Sequence, residues 1–312
     1  MPTLVWHYLT ALLSYRTSRS GVALAEALET VSHDRLTRLL QADWSGQSLL
    51  ESACRTRFMW AGGDLILDDT VIPTPFATAI ERFAWVYPSP ERKPVYGVSL
   101  VRLIWTNGTL RLPLGMRLWR QGGPSKYALA LAWLSDARNR LHCQPEYVCC
   151  EAWYPANALL KRIRDYGWYV VCRLQKNRRF NGQALRYHRR HPYWAEIGQL
   201  SGGLKVLVVR DGKKYDATNR LRLPAAEVRL GYRIRAQLEE VIRVCTDQLS
   251  LTGCQARSER AQQHHMTCCL GACCVLERER PDRHSIDPLK RQLSFRGPSV
   301  LLPALERLRS AA

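Results

Sequence analysis

The stretch YVCCEAWYPANALLKRIRDYGWYVVCRL, residues 147–174, changes its apolar period twice. Tyr147-Val148-Cys149-Cys150 is an unbroken apolar run of strand length that ends at Glu151. From Pro155 the spacing lengthens: Ala156, Leu159, Leu160, Ile163 and Tyr166 recur at helical intervals, and Gly167 is placed to end the helix. Trp168 to Leu174 is a strand again. Two strands joined through a helix lie parallel in one sheet, because a hairpin has no room for the helix.

Working outward, Leu65-Ile66-Leu67 is a second apolar run, and it ends in Asp68-Asp69-Thr70. Val95 to Trp105 and Thr109 to Trp119 flank Asn107-Gly108, a pair that tolerates positive φ and so predicts a hairpin. After Gly122-Gly123-Pro124, a helix is expected from Ser125 to about Leu141, with Ala128, Leu129, Ala132 and Trp133 at helical spacing. Three strands in a meander, then helix, strand, helix and strand, give an α/β chain with a mixed sheet. Before it, Val22, Leu24, Ala25 and Leu28 form one short helical stripe and Leu36, Leu39 and Leu40 another, with Ser32 placed to cap the second. With Arg35 and Arg38 outward, these two helices are either a DNA-reading helix-turn-helix or ordinary packing helices.

Downstream the chain turns basic and aromatic. Arg173, Lys176, Arg178, Arg179, Arg186, Arg189 and Arg190 alternate with Phe180, Tyr187, Tyr193 and Trp194, without an acid among them. Such a stretch can neutralise phosphates and offer stacking faces. Trp194 is the tryptophan expected to stack on nucleic acid, whereas Trp85, Trp105, Trp119, Trp133, Trp153 and Trp168 read as core or sheet-packing residues. Strands at Leu204 to Arg210 and Lys214 to Thr218 make this region a β-rich insertion. The helix that follows, from near Tyr232, buries Leu238, Val241, Ile242, Cys245 and Leu249. At about 100° per residue, Tyr232, Arg235 and Glu239 share one edge of that stripe while Glu240 falls toward solvent, which selects Glu239.

The whole chain of 312 residues holds 46 Lys and Arg against 27 Asp and Glu, a net charge of +19. With 46% hydrophobic residues it buries a core, so it is not a disordered polybasic tail, and its natural counterpart is a polyanion such as nucleic acid. No apolar run is long enough to span a bilayer, and MPTLVWHYLTALL has neither the basic segment nor the cleavage site of a secretory signal. The adjacent pairs Cys149/Cys150, Cys268/Cys269 and Cys273/Cys274 sit in apolar runs, as buried thiols of a reducing cytoplasm do. HHMTCCLGACCVL, residues 264–276, reads as one apolar helix in preference to a zinc site. Asp69 and Glu151 end strands, and Glu239 lies on the late helix. Either they are separate surface acids, or they converge as hard divalent cations require. Converging, they suit nuclease or strand-transfer chemistry with two ions.

The chain resembles the DDE transposases of bacterial insertion sequences, in the group with a Tyr-x-x-Arg-x-x-x-Glu signature, here Tyr232, Arg235 and Glu239 in YRIRAQLEEV. The similarity runs from about residue 25 to 280 and includes VSHDRLTRLL, LILDDTVI, WTNGTLRLPLGMRLWRQGGPSKYALA, EAWYPANALLKRIRDYGW, LQKNRRFNG and QARSERAQQHH. It implies an RNase H-like mixed sheet flanked by helices, with the β-rich insertion before the last catalytic helix. It also implies Asp69, Glu151 and Glu239 as catalytic residues and ligands of two Mg2+ or Mn2+ ions. Tyr232 and Arg235 would contact DNA phosphates, joined by Arg173, Lys176, Arg178, Arg179, Trp194, Arg35 and Arg38. The partners implied are double-stranded DNA, as element ends and target, and a second copy of the chain in the synaptic complex, in a bacterial cytoplasm at the nucleoid.

The organisation expected is an N-terminal helical, DNA-binding region over 1–60, core over 61–174, insertion over 175–226, core again over 227–278 and a tail over 279–312. Three positions depart from the family pattern: Glu151 stands where Asp is usual, Ala236 where Trp is common and Thr246 where Lys is expected. They point to weakened catalysis, so the expectation divides between an active transposase and an impaired relative that only binds DNA. A structure-specific nuclease is the third possibility.

Overall fold

A computed structural model describes residues 2–14, 21–54, 62–74, 80–81, 83–87, 93–188, 191–280, 285–296, 301 and 305. Arg189 and Arg190 of the basic stretch lie outside the described residues. Four helices come first: α1 (Thr3–Ser14), α2 (Gly21–Leu28), α3 (His33–Gln41) and α4 (Gly46–Cys54). The core follows as β1 (Asp64–Pro73), β2 (Ala84–Val86), β3 (Val95–Thr106), β4 (Arg111–Trp119), α5 (Lys126–Asn139), β5 (Tyr147–Cys150), α6 (Asn157–Asp165) and β6 (Tyr169–Leu174). The insertion contributes β7 (Arg179–Phe180), β8 (Gln183–Ala184), α7 (Leu185–His188), β9 (Tyr193–Gln199), β10 (Lys205–Asp211) and β11 (Lys214–Thr218). The chain then runs through α8 (Ala225–Arg233), α9 (Ala236–Arg243), a π-helical turn (Val244–Gln248), α10 (Glu259–Glu279) and α11 (Ile286–Arg296).

The mixed sheet is the expected one. β1 pairs antiparallel with β3 and parallel with β5, and β5 pairs parallel with β6. Asn107 makes the β3–β4 hairpin: its Oδ1 accepts the backbone N–H groups of Thr109 and Leu110 at 3.1 and 2.9 Å, and Gly108 takes φ 88°. Ser125 caps α5 by accepting the Ala128 N–H at 3.1 Å, and Gly167, at φ 77°, lies just past the end of α6. Ser32 stands at the cap of α3, but its hydroxyl makes no capping hydrogen bond, so that end is closed without the side chain expected to close it.

The insertion is less separate than its composition suggests. β11 pairs antiparallel with β6, and β10 and β9 follow, so one nine-stranded sheet runs β2-β3-β1-β5-β6-β11-β10-β9, with β4 also on β3. The late helix also differs from a single stripe from Tyr232. It starts at Ala225 and breaks at Ile234–Arg235, where the Gln237 and Leu238 N–H groups reach back three residues to Ile234 and Arg235.

Residues alternate between the two faces of β1. Ile66 packs with Leu238, Val241, Cys269 and the N-terminal helices, whereas Leu65 and Leu67 pack with Trp133, Leu134, Leu159 and Ile163 from α5 and α6. Residues of α1 to α4 therefore share a core with α9 and α10. All eleven cysteines are free thiols, and all but Cys254 are buried. Among the described residues, no helix is long and apolar enough to cross a membrane.

Candidate active site

Strand alternation sends the two acids of Asp68-Asp69 to opposite faces of the sheet. Asp68 follows Ile66 inward and is 2% exposed. Its Oδ2 lies 2.8 Å from Nη2 of Arg235, at the break between α8 and α9. The same nitrogen is 3.5 Å from Oε1 of Glu151, one residue past β5, and Nη1 of Arg235 is 2.8 Å from Oε1 of Glu239, one turn along α9. One guanidinium thus gathers three carboxylates from three elements. Their side chains run from interior to solvent, at 2%, 36% and 64% exposure for Asp68, Glu151 and Glu239.

Asp69, expected as the first acid, is not part of this group. Its Oδ1 accepts a hydrogen bond from the Tyr154 hydroxyl at 3.0 Å, and Lys126, at the start of α5, ion-pairs with its Oδ2. Both acids follow the apolar run, and parity along β1 decides which one meets Glu151. Counting in steps of two from Ile66 would have pointed to Asp68. Glu240 is corrected too. It does not point freely to solvent, because Arg243 binds both its oxygens at 2.8 and 2.9 Å and Arg111 of β4 lies 3.9 Å away. Those charges hold its pKa below the usual range, the Arg243 hydrogen bonds most of all.

Burial pushes the Asp68 carboxyl up to about 7, with Glu151 and Asp69 adding to the shift and Arg235 and Arg102 opposing it. Arg102, opposite Asp68 in the β1–β3 ladder, is 5% exposed, and its Nε and Nη1 have no hydrogen-bond partner. Burial lowers its pKa to about 10 against the pull of Asp68. The buried Arg102 beside Asp68, Lys126 and Tyr154 were all missed in the sequence, since none carries a local signal.

Three hard carboxylates around a cation are the donor set that Mg2+ or Mn2+ takes. As they stand, the acids are held apart by the width of the guanidinium. Among the described residues, no group of three His, Cys, Asp or Glu side chains is close enough to hold an ion directly.

The expected DNA contacts divide. Arg173 donates to Asp216 at 2.9 Å and lies over the ring of Tyr232, 4.2 Å from its centroid, so both are engaged within the protein and Tyr232 is buried. Arg178 donates to Asn157 Oδ1 at 2.5 Å. Lys176, Arg179, Arg35 and Arg38 are exposed. Trp194 is not a free platform: it packs with Phe180, His188 and Tyr215 at ring separations of 6.3, 5.3 and 6.3 Å. Among the described residues, the exposed tryptophans are instead Trp85 and Trp153, at 70% and 66%, which the sequence assigned to the core or to sheet packing. Trp153, two residues after Glu151, borders a cavity of about 410 Å³ with Ala156, Leu174, Asn177, Arg179 and Ser201.

The sheet order β4-β3-β1-β5-β6, with helices on both faces and an insertion between β6 and α8, fits DDE-type transposases with an RNase H-like core. It matches the Transposase DDE domain family over residues 60–275, and it belongs to that family. Among solved structures it is similar to a piggyBac transposase, determined as a synaptic complex with hairpin DNA. The TM-score is 0.57 at 12% identity, covering 99% of this chain and 72% of that one. No curated protein matches its sequence. Transposases of this family generally work with divalent metal ions.

Proposed function

We propose that this protein binds the terminal inverted repeats of a mobile element as double-stranded DNA, cleaves the strands there and transfers the 3′-hydroxyl to a target. Asp68, in place of Asp69, acts with Glu151 and Glu239 as the carboxylates that hold two Mg2+ or Mn2+ ions. The observation that carries this reading is the convergence of those three acids on Arg235, one each from β1, the end of β5 and α9. Bound there, such ions would activate the attacking hydroxyl and stabilise the leaving oxygen. Arg102 keeps positive charge behind Asp68, and Arg235 offers a guanidinium fork suited to a DNA phosphate as well as to carboxylates. Lys176, Arg179, Arg35 and Arg38 supply exposed charge for the duplex, and the chain works as a homodimer that pairs two ends. The similar piggyBac structure, a complex with hairpin DNA, supports DNA as the partner.

A second reading rests on Glu151. A carboxylate carried on one extra methylene, about 1.5 Å longer, would leave a relative that binds ends and cuts poorly. Both readings are tested by incubating the protein with a fragment carrying the element's ends, in Mg2+ or Mn2+. Nicking is expected to vanish with Asp68→Asn and Glu239→Ala and to persist, slowed, with Asp69→Asn. Loss with Asp69→Asn and full activity with Asp68→Asn would return the first-acid role to Asp69. A native chain that never nicks while Glu151→Asp does establishes the impaired relative. Equal cutting of unrelated duplexes would favour a structure-specific nuclease.

A further inference from the structure

We infer that Asp69 and Tyr154 form a positioning pair that sets the second acid, Glu151, relative to the first; this rests on the reading of Glu151 as a metal ligand. The need for such a pair lies in the backbone. The parallel ladder between β1 and β5 runs from Asp64 opposite Tyr147 to Leu67 opposite Cys150 and then stops. Asp68 and Glu151 are each one residue past the last paired positions, so the two acids are not themselves a ladder pair.

What continues the registry is a side chain. After Glu151 the chain turns, with the Tyr154 N–H donating to the Glu151 carbonyl at 3.0 Å and the Ala156 N–H to the Tyr154 carbonyl at 2.7 Å. Tyr154 is 2% exposed, and its ring packs with the apolar residues of the α5 and α6 face. Its hydroxyl donates to Asp69 Oδ1 at 3.0 Å. Asp69 is bonded to Asp68 through the main chain, and the Asp69 N–H also donates to Asp68 Oδ1 at 2.9 Å. Lys126 engages the other oxygen of Asp69, which leaves Oδ1 to Tyr154. The path from one acid to the other is therefore Asp68, Asp69, the Tyr154 phenol and the turn that carries Glu151. The two adjacent aspartates divide the work, one facing the cation site and the other tying down the loop of the second acid.

Phenylalanine at 154 keeps the buried ring and removes only the tie, so packing and positioning can be separated. Mn2+ binding is measured by titration calorimetry on the full chain without DNA, for the native protein, Tyr154→Phe, Asp69→Ala, the double variant and Glu151→Gln. Hydrogen exchange of the segment 151–156 is followed in parallel. Glu151→Gln is expected to abolish binding. Tyr154→Phe and Asp69→Ala are each expected to weaken it about tenfold, as outer partners of metal ligands do. The double variant should be no weaker than either single one, and exchange should quicken in 151–156 while α6 keeps its native rate. If Glu151→Gln abolishes binding but Tyr154→Phe binds Mn2+ as tightly as the native chain, the positioning role is overturned and the metal reading stands. If Glu151→Gln binds as the native chain does, the metal reading itself falls and the inference falls with it.

Discussion

At position 151 a single methylene separates glutamate from aspartate. Of the three carboxylates around Arg235, Glu151 is the loosest, at 3.5 Å against 2.8 Å for the other two. A displacement of about 1 Å can cost on the order of 100-fold in a positioned reaction. Glu151→Asp is therefore predicted to raise the nicking rate well above native, by up to that factor; a rate equal to or below native would mean the site is built around Glu. The sequence shows an acid here plainly, because it ends an apolar run. Which of Asp68 and Asp69 faces it follows from strand parity only once Ile66 is known to face the helix that carries Glu239, more than 160 residues away. His265 carries a second prediction at this scale. Its Nε2 donates to the Ser250 carbonyl at 2.7 Å, so Nδ1 accepts from the Tyr8 hydroxyl at 2.8 Å. Burial lowers its pKa from 6.5 to about 4. The folded chain thus keeps His265 neutral where the unfolded chain takes up a proton. Stability from this residue is complete above about pH 6.5 and is lost as pH falls toward 4, by up to about 3 kcal/mol. Denaturant unfolding at pH 7.5 and pH 5 should show a smaller drop in His265→Asn than in the native chain.

Elements that rest on local chemistry were legible, and those that rest on distant pairing were not. Asn107-Gly108, Ser125 and Gly167 announce a hairpin, a helix start and a helix end through their own backbone preferences. The docking of β11 on β6 has no such signal, because ladder hydrogen bonds use backbone groups that every residue shares. The break between α8 and α9 was hidden for a related reason: the apolar stripe continues across it while Arg235 turns to the acids. Close approach between strands leaves a sharper mark at Gly97. A Cβ there would stand 2.1 Å from the Ile72 carbonyl oxygen and 3.0 Å from the Pro73 Cα, where β3 meets the end of β1. Backbone cannot yield cheaply, so Gly97→Ala is predicted to destabilise the fold by about 1–3 kcal/mol, read as a lower urea midpoint. Gly108→Ala meets no atom within 4 Å and loses only the ease of its φ of 88°.

Across the whole molecule, the charge of +19 is visible in composition, but its deployment is not. Arg173 and Arg235 are held by acids of the protein itself, while Lys176, Arg179, Arg35 and Arg38 stay exposed. Binding to a duplex should weaken with salt at a log-log slope of about −0.9 per phosphate contacted. Replacing both Lys176 and Arg179 with Ala is predicted to flatten that slope by nearly 2 in titrations across salt concentrations; an unchanged slope would remove them from the DNA path. The shared core of α1 to α4 with α9 and α10 was also invisible in sequence, where the N-terminal helices read as a region of their own.

That shared core has a consequence for reactivity. Ten of the eleven cysteines are buried, spread over α4, the connection between α5 and β5, the sheet, the π-helical turn and α10, and only Cys254 is partly open. Solvent reaches those ten thiols only when the core opens, so alkylation becomes a clock for cooperative unfolding. Intact-mass spectra taken during slow labelling should hold two populations, one with a single adduct and one with eleven. A ladder of intermediate masses would mean that the sheet and the α10 layer open separately.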